Sequence, residues 1–210
     1  MRLRQCIIED RVVLTEDNIN DFIHKNCKQY LSLLGHKKPL LRGMKQYAGY
    51  IGIKDVRKDR VPFGMSSEEA KVLNDWLQKN GHARRDQSVM CTSDSSHIET
   101  FGDPFMIFPL DPISKYTWFW SQDMNIDGDA GWEWRTLPSW VKDKKGEATD
   151  IQKNTLSRLD MPFEDFFTTN SNFRKAYSSG YEIWFDCKQY YYVTAGAWLK
   201  WDTVKQMVVK

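Results

Sequence analysis

Of the 29 aromatic residues in this 210-residue chain, only Phe22, Tyr30, Tyr47, Tyr50, Phe63 and Trp76 precede residue 100, which leaves 23 in the second half. Each ring buries on the order of 150–250 Å² and dominates the core it enters. The two halves are therefore predicted to do different structural work. The first half carries helical periodicity. From Thr15, the residues Ile19, Phe22, Ile23, Cys27, Tyr30, Leu31 and Leu34 recur at steps of three and four, one apolar stripe on a helix capped by Thr15 and stopped by Gly35. Ser66 and Glu69 form a capping box ahead of a second helix, EEAKVLNDWLQKN, closed by Gly81.

Between these helices, Pro39 opens a short apolar run, Leu40-Leu41, read as a strand that carries Arg42. Residues 88–93, SVMCTS, are predicted as a strand, the polar DSSHIETFG as a short helix, and FMIFPL as another strand. A strand is expected at Tyr116–Trp120 and an exposed loop at 142–150. Asp160 and Pro162 open a predicted helix whose apolar face is Phe163, Phe166, Phe167, Phe173 and Tyr177, ended by Ser178-Ser179-Gly180. YEIWFDC and YYYVTAG are two strand-like runs separated by Lys188-Gln189, and Ala197 to Leu199 with Val204 to Val209 closes the chain.

This pattern predicts a single domain over 1–210: a helical part at 1–38, a core at 39–193 and a Trp-rich insertion at about 113–150. No window approaches the roughly 20 apolar residues of a membrane span, and MRLRQCIIEDR does not read as a signal peptide, so a cytoplasmic protein is expected. The formal net charge of +2 excludes a global field that draws the chain onto nucleic acid. One stretch is locally basic: from His36 to Arg60, eight Lys and Arg stand against Asp55 and Asp59. It reads as solvated surface or as a receiver for a phosphorylated ligand. Together with the aromatics it leaves nucleic-acid binding open as a further reading.

Cys6, Cys27, Cys91 and Cys187 are scattered without a C-x-x-C pair and read as buried thiols, and the four histidines lack metal-ligand spacing, so no metal site is expected. DMNIDGDAGWEW begins like a calcium loop, with Asp123, Asn125, Asp127, Gly128 and Asp129, but its twelfth position is Trp134 instead of a bidentate Glu. A β-turn rich in Asp and Gly explains the same letters.

The remaining constellation is dispersed: Arg42 on an early strand, Thr92-Ser93 ending a middle strand, and Glu182 opening a late one. In this order and context the chain resembles the mono-ADP-ribosyltransferase superfamily of the Arg-Ser-Glu type, through LLRGM, SVMCTSD and GYEIWFDCKQYYYV, with HIETFG and FMIFP similar to the helix and strand after the serine motif. The layout is also similar to that of uncharacterised tailed-bacteriophage proteins with an RGM start, an R-x-x-R-x-P stretch (Arg57, Arg60, Pro62) and a YYY-like end. The resemblance covers residues 39–193 and implies an α+β fold, a split antiparallel sheet with flanking helices, and NAD as substrate. It implies catalytic roles for Glu182 and Ser93 and cofactor binding by Arg42, Gly43 and Thr92, with Tyr47, Tyr50 or Phe101 stacking on the nicotinamide.

Two departures stand out. Cys91 occupies the first position of the serine motif, and Gly180 lies where many such transferases carry Glu or Gln to receive the acceptor. The implied activity is ADP-ribosyl transfer to a macromolecular acceptor, protein or nucleic acid, in a host-cell cytoplasm if the chain is phage-encoded. The alternative is a non-catalytic binding or structural protein, with a place in the virion, whose interface is the aromatic segment Trp118–Trp140.

Overall fold

The computed structural model describes residues 14–15, 17–44, 50–58, 60, 67–98, 101–119 and 167–194. Among them are eight strands and five α-helices. The chain is mixed α+β: two four-stranded sheets, every pairing antiparallel, share one hydrophobic core. The first sheet has the order β1-β4-β8-β2, from β1 (Leu41–Met44), β2 (Ile51–Asp55), β4 (Asp103–Pro109) and β8 (Gln189–Thr194). The second has the order β3-β7-β5-β6, from β3 (Val89–Cys91), β5 (Lys115–Phe119), β6 (Phe167–Thr169) and β7 (Ile183–Asp186). The two meet at one bridge, where Leu41 N–H donates to Thr92 O at 2.7 Å and Thr92 N–H to Leu41 O at 2.9 Å.

The apolar stripe after Thr15 is helical but interrupted, giving α1 (Ile19–Asn26) and α2 (Lys28–Leu34). The break at Cys27 has a cause remote in sequence. Lys28 N–H and Gln29 N–H donate to the two carboxylate oxygens of Asp111 at 2.8 and 3.2 Å, and Asp111 N–H donates to Asn26 O at 2.7 Å. A carboxylate thus caps α2 across the fold and starts it anew. Thr15 contributes its backbone carbonyl to Ile19 N–H, while its own N–H is held by Asn18 Oδ1. Gly35 ends α2 at φ 58° as predicted.

Helix α3 (Ser67–Lys79) follows the predicted segment and closes at Gly81, φ 81°. The capping residue Ser66 lies outside the described residues. A single 3-10 turn, Arg85–Gln87, leads into β3, and α4 (Ser95–Ile98) leads into β4.

The helix predicted from Asp160 to Tyr177 is corrected. Phe167–Thr169 is the edge strand β6, paired with β5 through Phe119↔Phe167 and Thr117↔Thr169, and helix α5 is confined to Phe173–Ser178. Asn170 and Asn172 adopt left-handed φ values of 53° and 54°, which a continuous helix cannot contain, and Asn170 Oδ1 accepts Tyr116 N–H. Strand pairing thus wins over the Phe periodicity. Asp160, Phe163, Phe166, the 142–150 loop, the candidate calcium loop and the C-terminal apolar run lie outside the described residues.

Candidate functional site

The seam between the sheets is built from the ends of β1, β3 and β7. Leu41 and Thr92 lock β1 against β3, so Arg42, one residue on, reaches toward the second sheet, and its Nη1 donates to Met90 O at 3.0 Å. Across the seam, Ser93 engages the last turn of α5 and Thr92 the turn that follows it. Thr92 Oγ1 donates to Gly180 O at 2.7 Å and accepts from Asp94 N–H, and Ser93 Oγ donates to Tyr177 O. The Ser93 hydroxyl is thus engaged by the backbone at the end of α5, ahead of Glu182 in the chain.

Glu182 stands immediately before β7 and is only 7% exposed. Its Oε1 accepts Trp184 Nε1 at 2.8 Å, and its carbonyl accepts Phe119 N–H from β5. The carboxylate is thus oriented by an indole, while the backbone of Glu182 is tied to β5. Gly180, two residues earlier, has φ 68°, and a Cβ there would stand 3.1 Å from Asp94 Cβ. The left-handed backbone and the close Asp94 Cβ together favour glycine over a larger side chain at this position.

The charges around the seam extend beyond the sequence-predicted set. Arg60 feels Arg42 and Arg85 as repelling neighbours and Glu182 and Tyr190 as attracting ones; burial first, then the two cations, push its guanidinium down to about 9. Arg85 is 2% exposed. HARRDQS reads as a polar loop in the sequence, and only the packing around Arg85 marks it as a buried cation. Burial pushes the Cys91 thiol well above its ordinary range against the pull of Arg42, so this thiol is a poor nucleophile. Its Sγ points to Ile183 O. Cys27, Cys91 and Cys187 are free and buried, as predicted.

The other expected ligand contacts divide. A Cβ on Gly43 would lie 2.7 Å from Phe101 Cβ and 2.8 Å from Ile98 O, so Phe101 and Ile98 already occupy the space beside this glycine. Phe101, 39% exposed and edge-on to His97, thus lies on the face of β1 that Gly43 presents, opposite to the side chain of Arg42. Tyr50 is 77% exposed and accepts Thr194 N–H at the far edge of the sheet. Arg42, Phe105, Thr194 and Tyr50 form one row across four strands, which separates Arg42 from Tyr50 by about 14 Å. Tyr47 lies outside the described residues.

Of the aromatic segment Trp118–Trp140, Trp118 and Phe119 are buried in the core, and 120–140 lies outside the described residues. Among the described residues there is no group of three His, Cys, Asp or Glu able to hold a metal, and no helix long and apolar enough to cross a membrane. Comparison with protein families, with characterised proteins and with solved structures finds no match for this chain.

Proposed function

We propose that the chain is an NAD-dependent mono-ADP-ribosyltransferase that acts on a macromolecular acceptor. The observation that carries this reading is the meeting, at one seam between two antiparallel sheets, of Arg42, Thr92-Ser93 and Glu182, residues separated by up to 140 positions in the sequence. Cleavage of the nicotinamide–ribose bond passes through a cation shared between the anomeric carbon and the ring oxygen. A carboxylate fixed before that charge develops stabilises it without reorganising. Glu182 takes this role, and the indole of Trp184 fixes its orientation. Arg42 supplies a planar fork to the pyrophosphate. Thr92 and Ser93 are positioning residues: their hydroxyls fix the turn that sets the height of Glu182 at the seam. With Gly180 in place of a carboxylate or amide, the proton of the acceptor nucleophile leaves to another group or to water.

A second reading, a non-catalytic binding or structural protein, is favoured by the burial of Glu182 and by the engagement of both hydroxyls with backbone carbonyls. Incubation with NAD labelled in the adenylate moiety and a cell lysate separates the two. Transfer of label with release of nicotinamide is expected, reduced about a hundredfold or more by Glu182→Gln. Arg42→Lys is expected to weaken NAD binding roughly tenfold, because an ammonium cannot reproduce the bidentate contact. Absence of both transfer and nicotinamide release leaves the non-catalytic reading standing.

A further inference from the structure

The edge strand β6 is fastened to β5 by a chain of hydroxyls that ends on an imidazole. Ala83 N–H donates to Thr117 Oγ1 at 2.8 Å, Thr117 Oγ1 lies 2.7 Å from Thr169 Oγ1, and Thr169 Oγ1 lies 2.9 Å from His82 Nδ1. Asn170 N–H donates to Tyr116 O, which makes Thr117 and Thr169 a non-hydrogen-bonded pair of the ladder. The backbone of Thr169 therefore faces away from β5, and its hydroxyl makes the tie. In one arrangement every hydroxyl proton of this chain has a protein acceptor: Thr117 donates to Thr169, and Thr169 donates to an unprotonated Nδ1. Neutral His82 thus carries its own proton on Nε2.

A proton added at Nδ1 reverses the last link. Nδ1 then donates, Thr169 Oγ1 accepts, and one of the two hydroxyl protons loses its acceptor; among the described residues neither hydroxyl has a further hydrogen-bond partner. Thr117 is fully buried, so the loss falls on the half-buried Thr169. The displaced hydroxyl proton and the imidazolium both demand water at a junction that Trp76 and Phe167 pack closed. Around the ring, β5 contributes the Lys115 ammonium, which donates to Gly81 O at 3.3 Å, while Trp76 of α3 and Phe167 and Thr169 of β6 carry no charge. The aromatic faces offset part of the cost of a cation. Burial and then Lys115 outweigh them and hold the pKa of His82 below the ordinary imidazole value, with no carboxylate among the described residues to counter them.

We infer that His82 is a pH-operated latch: its neutral form holds β6 on β5, and its protonation releases Phe167–Thr169 as a local unit while β7 stays paired. The released ring takes up a proton near pH 6.5 that the latched ring resists, so release gains as the pH falls below that value. The effect reaches past the strand. Phe167 packs 5.4 Å from His82 and 5.9 Å from Trp184, the indole that holds the Glu182 carboxylate. Acid therefore loosens Glu182 through Phe167, and the latch stands on this network whether or not NAD is cleaved.

The test is amide hydrogen exchange of the full chain by NMR from about pH 7.5 to about pH 5. The Thr168 and Asn170 amides, which flank the hydroxyl tie, are expected to lose about tenfold in protection over this range while the amides of β7 keep theirs. A constant ratio of β6 to β7 protection overturns the latch, whether both hold or both fall together. His82→Gln keeps an acceptor for Thr169 without titrating, so it should make β6 protection independent of pH; a loss equal to that of the wild type refutes the role of His82. If that variant does not fold, the imidazole nitrogen shifts of the wild type decide. Nδ1 is expected to be unprotonated at neutral pH, and a proton on it sinks the inference. Neither readout involves NAD, so the transferase reading can fail while the latch holds, and the reverse.

Discussion

Gly43 illustrates how one residue can have two physical explanations with opposite consequences. If its missing side chain made room for a ligand, Gly43→Ala would weaken binding and leave the ligand-free protein unchanged. The structure instead puts Phe101 Cβ and Ile98 O within 3 Å of the added methyl. Gly43→Ala is therefore expected to destabilise the ligand-free protein by about 1–3 kcal/mol, as overpacking does, read from urea unfolding. An unchanged midpoint would return Gly43 to the ligand.

At the same scale, His82 couples stability to pH. Its ring stacks on Trp76 and packs against Phe167, and Nδ1 lies 2.9 Å from Thr169 Oγ1. Burial, and then the charge of Lys115, hold its pKa below the ordinary imidazole value. The unfolded chain takes up a proton near pH 6.5 that the folded protein resists. The contribution of neutral His82 is thus intact above about pH 6.5, is lost as the pH falls below that value, and levels off once the folded protein also accepts the proton. Thermal melts at successively lower pH should decline less steeply in His82→Gln than in the wild type. Parallel curves would show that the ring titrates freely in the native state.

Elements show where local pattern suffices and where it does not. β1, β3, β4, β5, β7 and β8 fall on the apolar and aromatic runs that announce them, because a strand buried on its core face must carry such side chains. β6 is three residues long and depends on its partner: Thr169 Oγ1 sits 2.7 Å from Thr117 Oγ1, a contact absent from any local pattern. The same holds for the break between α1 and α2, where the apolar stripe runs on without interruption and the deciding carboxylate belongs to Asp111. Asp111→Ala is expected to cost about 1–2 kcal/mol, in the range of a lost helix cap. Asp111→Asn, which keeps one acceptor, should recover part of that loss in the same denaturant titration. If alanine has no effect, the carboxylate does not set the boundary.

Over the whole molecule, the aromatic imbalance becomes a statement about topology. The inner strands of both sheets, β4 and β8 in one and β7 and β5 in the other, all come after residue 100, and Phe108, Trp118, Trp184, Phe185 and Tyr191 fill the core from them. The order of Arg42, Thr92-Ser93 and Glu182 was legible because each sits at a strand end that the sequence marks. Arg85 was not, since a buried cation is distinguished from a surface one only by what surrounds it.

The position of β8 has a consequence during synthesis. It is the last described strand in the chain, yet it lies between β4 and β2 and is the sole described partner of β2, with Ile51 opposite Val193. Until residues 189–194 have left the ribosome, β2 has no neighbour among the described strands and β4 lacks the partner of its inner edge. Residues 51–55 and the inner edge of β4 therefore wait for residues 189–194, more than 130 positions after β2, and depend through that interval on slow closure over a long sequence separation and on protection from edge-to-edge association.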